Sequence, residues 1–253
     1  MLRIIAFNSF RGGTGKSNIV SNLAAVLADM GKRVGVIDLD LPSPGVHILF
    51  GLDQAQIENT LNDYLWGNCD IGSASYDITP EALQGSDTGT MFLAPASFNV
   101  DDINRIVQEG YDIERLSGGI NEMATLLDLD FLLIDTHPGL NQETLMAMAL
   151  ADRLVLVLRP DSQDFQGTAV TADVSQKLGV PKILVLLNRV LDAIDDTQLR
   201  NLVTKTYQLP ILGLLPNADE VMLMASRDLF SLRYPDHSFS KEIRSVAQTL
   251  VEI

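Results

Sequence analysis

The sequence contains little cysteine, no long apolar run and few positive charges, and each shortage excludes a class of protein. Cys69 is the single cysteine among the 253 residues. One thiol cannot form an internal disulfide, a paired-cysteine metal site or an iron–sulfur cluster within the chain. No segment reaches the roughly 18 consecutive apolar residues that a membrane-spanning helix needs, so we expect no transmembrane segment.

The charge balance is strongly acidic. Lysine and arginine together number 18, against 33 aspartate and glutamate residues, which gives a net charge of −15. Such a chain repels the phosphates of DNA and of anionic lipid at long range, so both partners are disfavoured unless a local basic patch overrides the net charge. The N-terminal residues carry no signal-peptide pattern. We therefore expect a soluble, reduced protein of the cytoplasm.

Short apolar runs alternate with stretches of helical periodicity. The runs are rich in Val, Ile and Leu, which is typical of strands covered on both faces in a parallel sheet. Helical spacing occurs over 17–33, 141–151 and 238–253. The alternation predicts an α/β fold with a doubly wound, mostly parallel sheet flanked by helices, in one domain over 1–253. The apolar runs span residues 2–7, 33–39, 91–96, 130–136, 153–160, 182–190 and 210–216, whereas 67–90 have little pattern.

A glycine-rich segment, NSFRGGTGKS at residues 8–17, joins the first predicted strand to the first predicted helix. Free backbone N–H groups at a helix N-terminus bind phosphate, and the three glycines leave out the Cβ atoms that would block its approach. Lys16 is expected to reach the β and γ phosphates, and the Ser17 hydroxyl to bind Mg²⁺. The predicted nucleotide-binding residues here are Gly12, Gly13, Thr14, Gly15, Lys16 and Ser17.

The segment RGGTGKS resembles the deviant Walker A box, K-G-G-x-G-K-[ST], of the MinD/ParA superfamily of P-loop ATPases. That family lacks the first glycine of the ordinary box, at the position of Phe10. The resemblance implies ATP and Mg²⁺ as cofactors and a homodimer that closes over the nucleotides. A signature lysine, here replaced by Arg11, reaches the partner's phosphates in such dimers. Arg11 keeps the charge and adds a planar fork suited to phosphate, or it pairs with a nearby carboxylate.

Acidic residues end two of the predicted strands. Asp38 and Asp40 in VIDLDLPSPG, and Asp135 in DFLLIDTHPGL, would face the crevice where such sheets bind ligands. The first pair is similar to the family's D-x-D motif, which implies that Asp38 supports Mg²⁺ and Asp40 orients the attacking water. The alternative is a solvated acidic turn. Asp135 matches the Walker B aspartate, which holds Mg²⁺ through water or Ser17. We interpret His137 as a switch residue and not as a catalyst.

Weaker matches continue towards the C-terminus. Asn188 and Arg189 resemble the family's adenine-reading N-R pair, and Pro216 matches a segment that packs against adenine. The segment RPDSQDFQG follows the strand predicted at 153–160, where the family has the start of a dimer-interface helix. Its candidate interface residues are Arg159, Asp161 and Gln163.

Two surfaces bear on DNA and membrane binding. The helix predicted over 238–253 mixes basic and acidic residues, and its apolar side chains fit packing on the sheet better than the basic amphipathic tail of MinD-type membrane binders. Basic residues of the last third either form a weak DNA-binding patch or are scattered solvated charges, and we favour the second. They are Arg189, Arg200, Lys205, Arg227, Arg233, Lys241 and Arg244.

The resemblance implies an ATP-dependent dimerisation switch. It would hydrolyse ATP slowly, with Lys16, Asp40 and Arg11 as catalytic residues, and position a cargo such as DNA, a division site, a pilus or flagellum, or a protein organelle. A partner protein would stimulate hydrolysis. The carboxysome-positioning type is one member of the superfamily to which the chain could correspond. The alternative is a nucleotide-binding adaptor with little hydrolysis, because Arg11 replaces the signature lysine. An ATP-dependent ligase of the same fold is disfavoured.

Overall fold

An eight-stranded sheet runs through the part of the chain that the computed structural model describes, residues 2–85, 87–224 and 228–253. The strands are β1 (Arg3–Asn8), β2 (Val34–Leu39), β3 (Tyr76–Asp77), β4 (Met91–Ala94), β5 (Phe131–Thr136), β6 (Arg153–Leu158), β7 (Lys182–Val190) and β8 (Ile211–Pro216). They lie in the order β3-β4-β2-β5-β1-β6-β7-β8. Every neighbouring pair is parallel except β3 and β4, which are antiparallel.

The predicted sheet is confirmed, with one addition. Each predicted apolar run forms a strand, with small differences at the ends. The sequence did not predict β3, which lies within the segment 67–90. Two residues are too few to show a period-two pattern, and β3 depends on pairing with β4 at the sheet edge.

Helices cover both faces of the sheet. They are α1 (Lys16–Asp29), α2 (Val46–Leu49), α3 (Leu61–Leu65), α4 (Val100–Glu109), α5 (Ile113–Leu126), α6 (Gln142–Leu150), α7 (Ser162–Lys177), α8 (Asp196–Tyr207), α9 (Asp219–Leu223), α10 (Phe230–Arg233) and α11 (Ser238–Glu252). The helices predicted over 141–151 and 238–253 are α6 and α11. The one predicted over 17–33 ends earlier, because Gly31, with φ of 77°, turns the chain towards β2.

Alternate residues of β1 belong to separate hydrophobic cores. Ile5 and Phe7 pack into the core that contains α1 and α11. Ile4 and Ala6 pack into the core on the other face, which contains residues of α5 and α6. A strand with apolar side chains on both faces needs a helical layer on each side, so the doubly wound architecture follows from the continuous apolar runs.

The C-terminal helix packs on the sheet as the sequence predicts. Ile243, Val246 and Leu250 are fully buried in the core shared with α1. Within the described ranges, no helix has both the length and the apolar character needed to cross a bilayer.

The parallel register brings three strand ends to one place. Asp38 at the end of β2 lies beside Asp135 at the end of β5, and Phe7 of β1 lies beside the same Asp135. The glycine loop that follows β1 therefore starts next to both carboxylates. In open α/β sheets the crevice at the carboxyl ends of the strands is where ligands bind.

We expect Ile243→Ala to lower the free energy of unfolding by about 2–5 kcal/mol, because truncating a fully buried side chain leaves a cavity. Gln248→Ala changes an exposed position of the same helix and is expected to alter stability by less than about 0.5 kcal/mol. Urea unfolding followed by circular dichroism measures both. Equal losses in the two variants would contradict the packing of α11 on the sheet.

Candidate functional site

Two glycines in left-handed conformation shape the loop between β1 and α1. Gly13 and Gly15 have φ of 77° and 90°, a region that other residues enter only with strain. Gly15 is the N-cap of α1, and no side chain of the described residues caps that end. The N–H groups of the first helical turn are therefore available to an anion, as the predicted phosphate-binding role of the loop requires.

Asn188, at the end of β7, holds this loop in place. Its Nδ2 donates a hydrogen bond to the carbonyl oxygen of Thr14 at 2.7 Å. A Cβ atom on Gly15 would lie 2.4 Å from the same nitrogen, so the close approach requires glycine there. The sequence assigned Asn188 to adenine recognition, which stays a prediction. The structure adds a loop-holding contact that the sequence did not indicate, because the two segments are far apart in the chain.

Three charged side chains are buried together beneath the loop. The Nζ of Lys16 lies 2.5 Å from Oδ1 of Asp135, and both side chains are almost fully buried. Asp38 is fully buried as well, and its carboxylate accepts hydrogen bonds from the backbone N–H groups of Asp40, Gly45 and Val46 at 3.2 Å each. Desolvation, and then the charge of Asp135, raises the pKa of Asp38 to about 7.

These groups fit a divalent cation. Oδ2 of Asp135 is buried and has no hydrogen-bond partner among the described residues. Lys16 pairs with Asp135, and Asp38 beside it has no ion-pair partner among the described residues, so a further positive charge would relieve the repulsion between the two carboxylates. Among the described residues no group of three His, Cys, Asp or Glu side chains forms a complete metal site. Mg²⁺ commonly keeps waters and takes phosphate oxygens, so the small protein contribution predicted for it, from Ser17, Asp38 and Asp135, is compatible with this arrangement and stays a prediction.

Asp40 lines the cavity beside the glycine loop. Its Oδ1 accepts hydrogen bonds from the hydroxyl and the backbone N–H of Ser43, at 2.7 and 3.2 Å, and lies 2.7 Å from Nδ1 of His137. The cavity has a volume of about 340 Å³. It is lined by Ser9, Gly12, Gly13, Thr14, Gly15, Lys16, Ser17, Asn18, Asp40, Ser43, Pro138 and Arg189.

A second cavity of about 270 Å³ continues from the first, sharing Gly15, Asn18 and Arg189 with it. Asn188 and Pro216 line it, so the structure brings together the three residues predicted to contact adenine. The segment LLPNADEV, which the sequence matched to adenine packing, also supplies Asn217, Ala218 and Val221. Sequence reasoning missed Asn18, Ile19, Met222 and Phe239, which no local motif marks as binding residues.

Arg11 contacts its own subunit at the start of α7. Its guanidinium donates to Oε1 of Gln163 and lies 3.7 Å from Asp161 and 3.6 Å from Asp164. Arg159 pairs with the same two carboxylates, at 3.2 and 3.0 Å. Of the two alternatives for Arg11, the structure contains the pairing with nearby carboxylates. Two of the candidate interface residues, Asp161 and Gln163, contact Arg11, and the third, Arg159, pairs with the same carboxylates.

The basic residues of the last third are mostly dispersed. Arg189 lines both cavities. Arg233 pairs with Asp228, and Arg244 pairs with Asp29. Arg227, another candidate for a DNA-binding patch, lies outside the described residues. These pairings support scattered charges over a basic patch.

A family model described as an AAA domain matches residues 2–180. An uncharacterised ATP-binding protein of Methanocaldococcus jannaschii is 29% identical over 248 residues, which covers 98% of this chain and 87% of that protein. An iron–sulfur cluster carrier protein of Methanococcus maripaludis is 30% identical, over 73% of this chain and 59% of that protein.

Among solved structures, the septum site-determining protein MinD of Pyrococcus horikoshii, complexed with Mg-ADP, matches with a TM-score of 0.80 and 24% identity. The match covers 99% of this chain and 96% of that one. It shows a shared fold over the whole sheet and its flanking helices.

We expect Gly15→Ala to weaken binding of ATP with Mg²⁺ by roughly tenfold or more, since 1.4 kcal/mol of strain already corresponds to tenfold. The methyl group would meet Nδ2 of Asn188 and displace the loop from the phosphate-binding geometry. Titration with a fluorescent ATP analogue measures the affinity.

Gly179→Ala is the matched control for this variant. Gly179 also has a left-handed φ of 77°. It follows the C-terminus of α7, and a Cβ atom there would meet nothing within 4 Å. It is expected to share the backbone strain and keep wild-type ATP affinity. Equal affinities in the two glycine variants would show that the contact between Gly15 and Asn188 does not shape the nucleotide site.

Proposed function

We propose that this chain, which belongs to the MinD/ParA family of P-loop ATPases, is an ATP-dependent dimerisation switch that hydrolyses ATP slowly to position or partition a cellular cargo. One observation carries the proposal. The uncapped N-terminus of α1, Lys16 and Asp40 border one cavity that continues into a second, less polar one. Asp135, buried and paired with Lys16, and Asp38 beside it lie behind that cavity. Such a pair of connected cavities suits the phosphates and the base of a nucleotide.

The residues in and behind the two cavities have separate binding roles in this proposal. The glycine loop and the first turn of α1 offer backbone N–H groups to the phosphates, and Lys16 adds a positive charge beside them. Ser17, Asp38 and Asp135 would hold Mg²⁺, which neutralises charge on the phosphates when bound. Asn188, Arg189 and Pro216 line the cavity for the base.

In this proposal Asp40 orients the attacking water. It borders the phosphate cavity, and one of its two carboxylate oxygens carries the contacts to Ser43 and His137. Phosphoryl transfer depends on positioning and charge stabilisation more than on a strong base. A carboxylate that accepts a hydrogen bond from water beside the γ-phosphate therefore suffices for slow hydrolysis.

Arg11 supplies the link to dimerisation. Its side chain is 37% exposed, and exposed ion pairs contribute about 0–1 kcal/mol. Its release leaves neither carboxylate unpaired, because Arg159 contacts both Asp161 and Asp164. Arg11 can therefore exchange these contacts for the phosphates of a partner subunit. The pairing of Arg11 within its own subunit also favours the second candidate function, a nucleotide-binding adaptor that hydrolyses little ATP.

The partners follow from the same scheme. A second copy of the chain closes over the nucleotide, and a further protein stimulates hydrolysis and couples it to cargo. DNA is disfavoured by the net charge of −15 and by the paired arginines near the C-terminus. The similarity to an iron–sulfur cluster carrier does not extend to a paired-cysteine site, since Cys69 is the single cysteine of these 253 residues.

Asp40→Ala is expected to form dimers with ATP and Mg²⁺. Its rate of phosphate release is expected to fall by about a hundredfold or more, because the carboxylate that orients water is lost. Size-exclusion light scattering with ADP and with ATP, beside a phosphate-release assay, measures both properties. Asp173→Ala removes an exposed carboxylate of α7 and serves as the control. A wild-type protein that stays monomeric with ATP bound and releases no phosphate would support the adaptor instead.

Arg11→Ala is expected to keep ATP binding in the monomer and to weaken the ATP-dependent dimer about tenfold or more, since a hydrogen bond to a charged group is worth about 1.5–3 kcal/mol. Arg11→Lys keeps the charge and is expected to dimerise. Lys177→Ala, an exposed cation at the far end of α7, is the control. Concentration-dependent light scattering gives the dimer affinity. Unchanged dimerisation of Arg11→Ala would rule out its contact across the interface.

A further inference from the structure

We infer that His137 is a positioning residue for ATP hydrolysis, which holds the Asp40 carboxylate so that its second oxygen is left for the attacking water. This inference rests on the proposed function, because it concerns the water that Asp40 orients. Nδ1 of His137 and Oδ1 of Asp40 are 2.7 Å apart. The contact joins the segment after β2 to the segment after β5, which are 97 residues apart.

All the hydrogen bonds of the Asp40 side chain fall on one oxygen. Oδ1 accepts from the Ser43 hydroxyl at 2.7 Å, from the Ser43 N–H at 3.2 Å and from His137. Among the described residues no group donates to Oδ2. Ser43 belongs to the same short turn as Asp40 and moves with it, since its N–H also donates to the Asp40 carbonyl oxygen. The backbone of this turn is held by Asp38, and His137 is the side chain from a distant segment that holds the Asp40 carboxylate itself.

The backbone at His137 is itself held firmly. Its carbonyl oxygen accepts hydrogen bonds from Nδ2 of Asn8 at 3.3 Å and from Oγ1 of Thr144 at 3.1 Å. These two side chains, which belong to β1 and α6, are fully buried. They anchor the backbone of His137 at the end of β5, and its imidazole extends from there to Asp40.

The chemistry of the pair assigns the proton. A carboxylate oxygen accepts hydrogen bonds and an imidazole nitrogen either donates or accepts, so Nδ1 of His137 carries the hydrogen in this contact. With Oδ1 occupied, the free lone pairs of Oδ2 accept a hydrogen from water. His137 acts through Asp40 and does not itself take part in proton transfer. The imidazole is only one-third exposed, so water competes weakly for its hydrogen bond.

The test compares His137→Leu and His137→Asn in steady-state ATP hydrolysis. The leucine removes the donor, and we expect kcat to fall about tenfold or more, as loss of a hydrogen bond to a charged group implies, with KM for ATP and ATP-dependent dimerisation unchanged. The asparagine places an amide N–H near the position of Nδ1 and is expected to restore most of kcat. In the Asp40→Ala background His137→Leu should have no further effect, since the two residues then form one unit.

A wild-type kcat in His137→Leu, or losses that simply add in the double variant, would overturn the inference while leaving the dimerisation switch intact. A wild-type protein that neither dimerises with ATP nor releases phosphate overturns both, so the two failures are distinguishable. Should His137→Leu fail to fold, NMR of histidine-labelled wild type decides. The chain has three histidines, and His137 is expected to carry its proton on Nδ1 and to lose that preference in Asp40→Ala. An Nδ1 without a proton in the wild type overturns the inference.

Discussion

The burial of Asp38 and Asp135 side by side is the constraint on which the rest of the site depends. Placing two carboxylates in a low-dielectric interior costs free energy unless each gains compensating partners. Lys16 compensates Asp135, and three backbone N–H groups compensate Asp38 only in part, which is why the pKa of Asp38 rises to about 7. The remaining imbalance of negative charge would favour the binding of a cation. Because Lys16 belongs to the glycine loop, the same ion pair also fixes the loop on which phosphate would bind.

The fold creates this constraint before any ligand is present. In a parallel sheet all carboxyl ends lie at one edge, and the order β2-β5-β1 puts the ends of three strands that are distant in sequence next to one another. Both cores depend on that order, since β1 packs alternate side chains into each. A change that shifted the register of β5 by one residue would turn Asp135 to the other face and break the ion pair with Lys16. Stability of the sheet and geometry of the site are therefore set by the same pairing.

Much of this could be read from the sequence, and the limits have a physical cause. All strands except the two-residue β3, together with α1 and the loop, were predictable because their signals are local: continuous apolar runs, helical spacing, and glycines before a lysine and a hydroxyl. Contacts between distant segments were not. Asn188 meets Thr14, Arg11 meets Gln163, and Asp40 meets His137, over separations of 174, 152 and 97 residues. Periodicity in the sequence does not indicate which distant residues will be in contact. The N-R pattern at Asn188, for example, indicated adenine recognition and did not predict its hydrogen bond to the glycine loop.

The charges around the loop explain why closure of a dimer would depend on the nucleotide. Without phosphates, the exposed guanidinium of Arg11 pairs with Asp161 and Asp164, and such exposed pairs stabilise little. Arg159 pairs with both carboxylates as well, so they keep a partner when Arg11 leaves. A second subunit of the same acidic chain offers no attraction of its own, because two bodies of charge −15 repel. Phosphates at the mouth of the cavity would change this balance, because they would present a concentrated negative charge to the arginine of a second subunit. The weak contact within the subunit is then an advantage, because a buried, strong pair would hold Arg11 back when ATP binds.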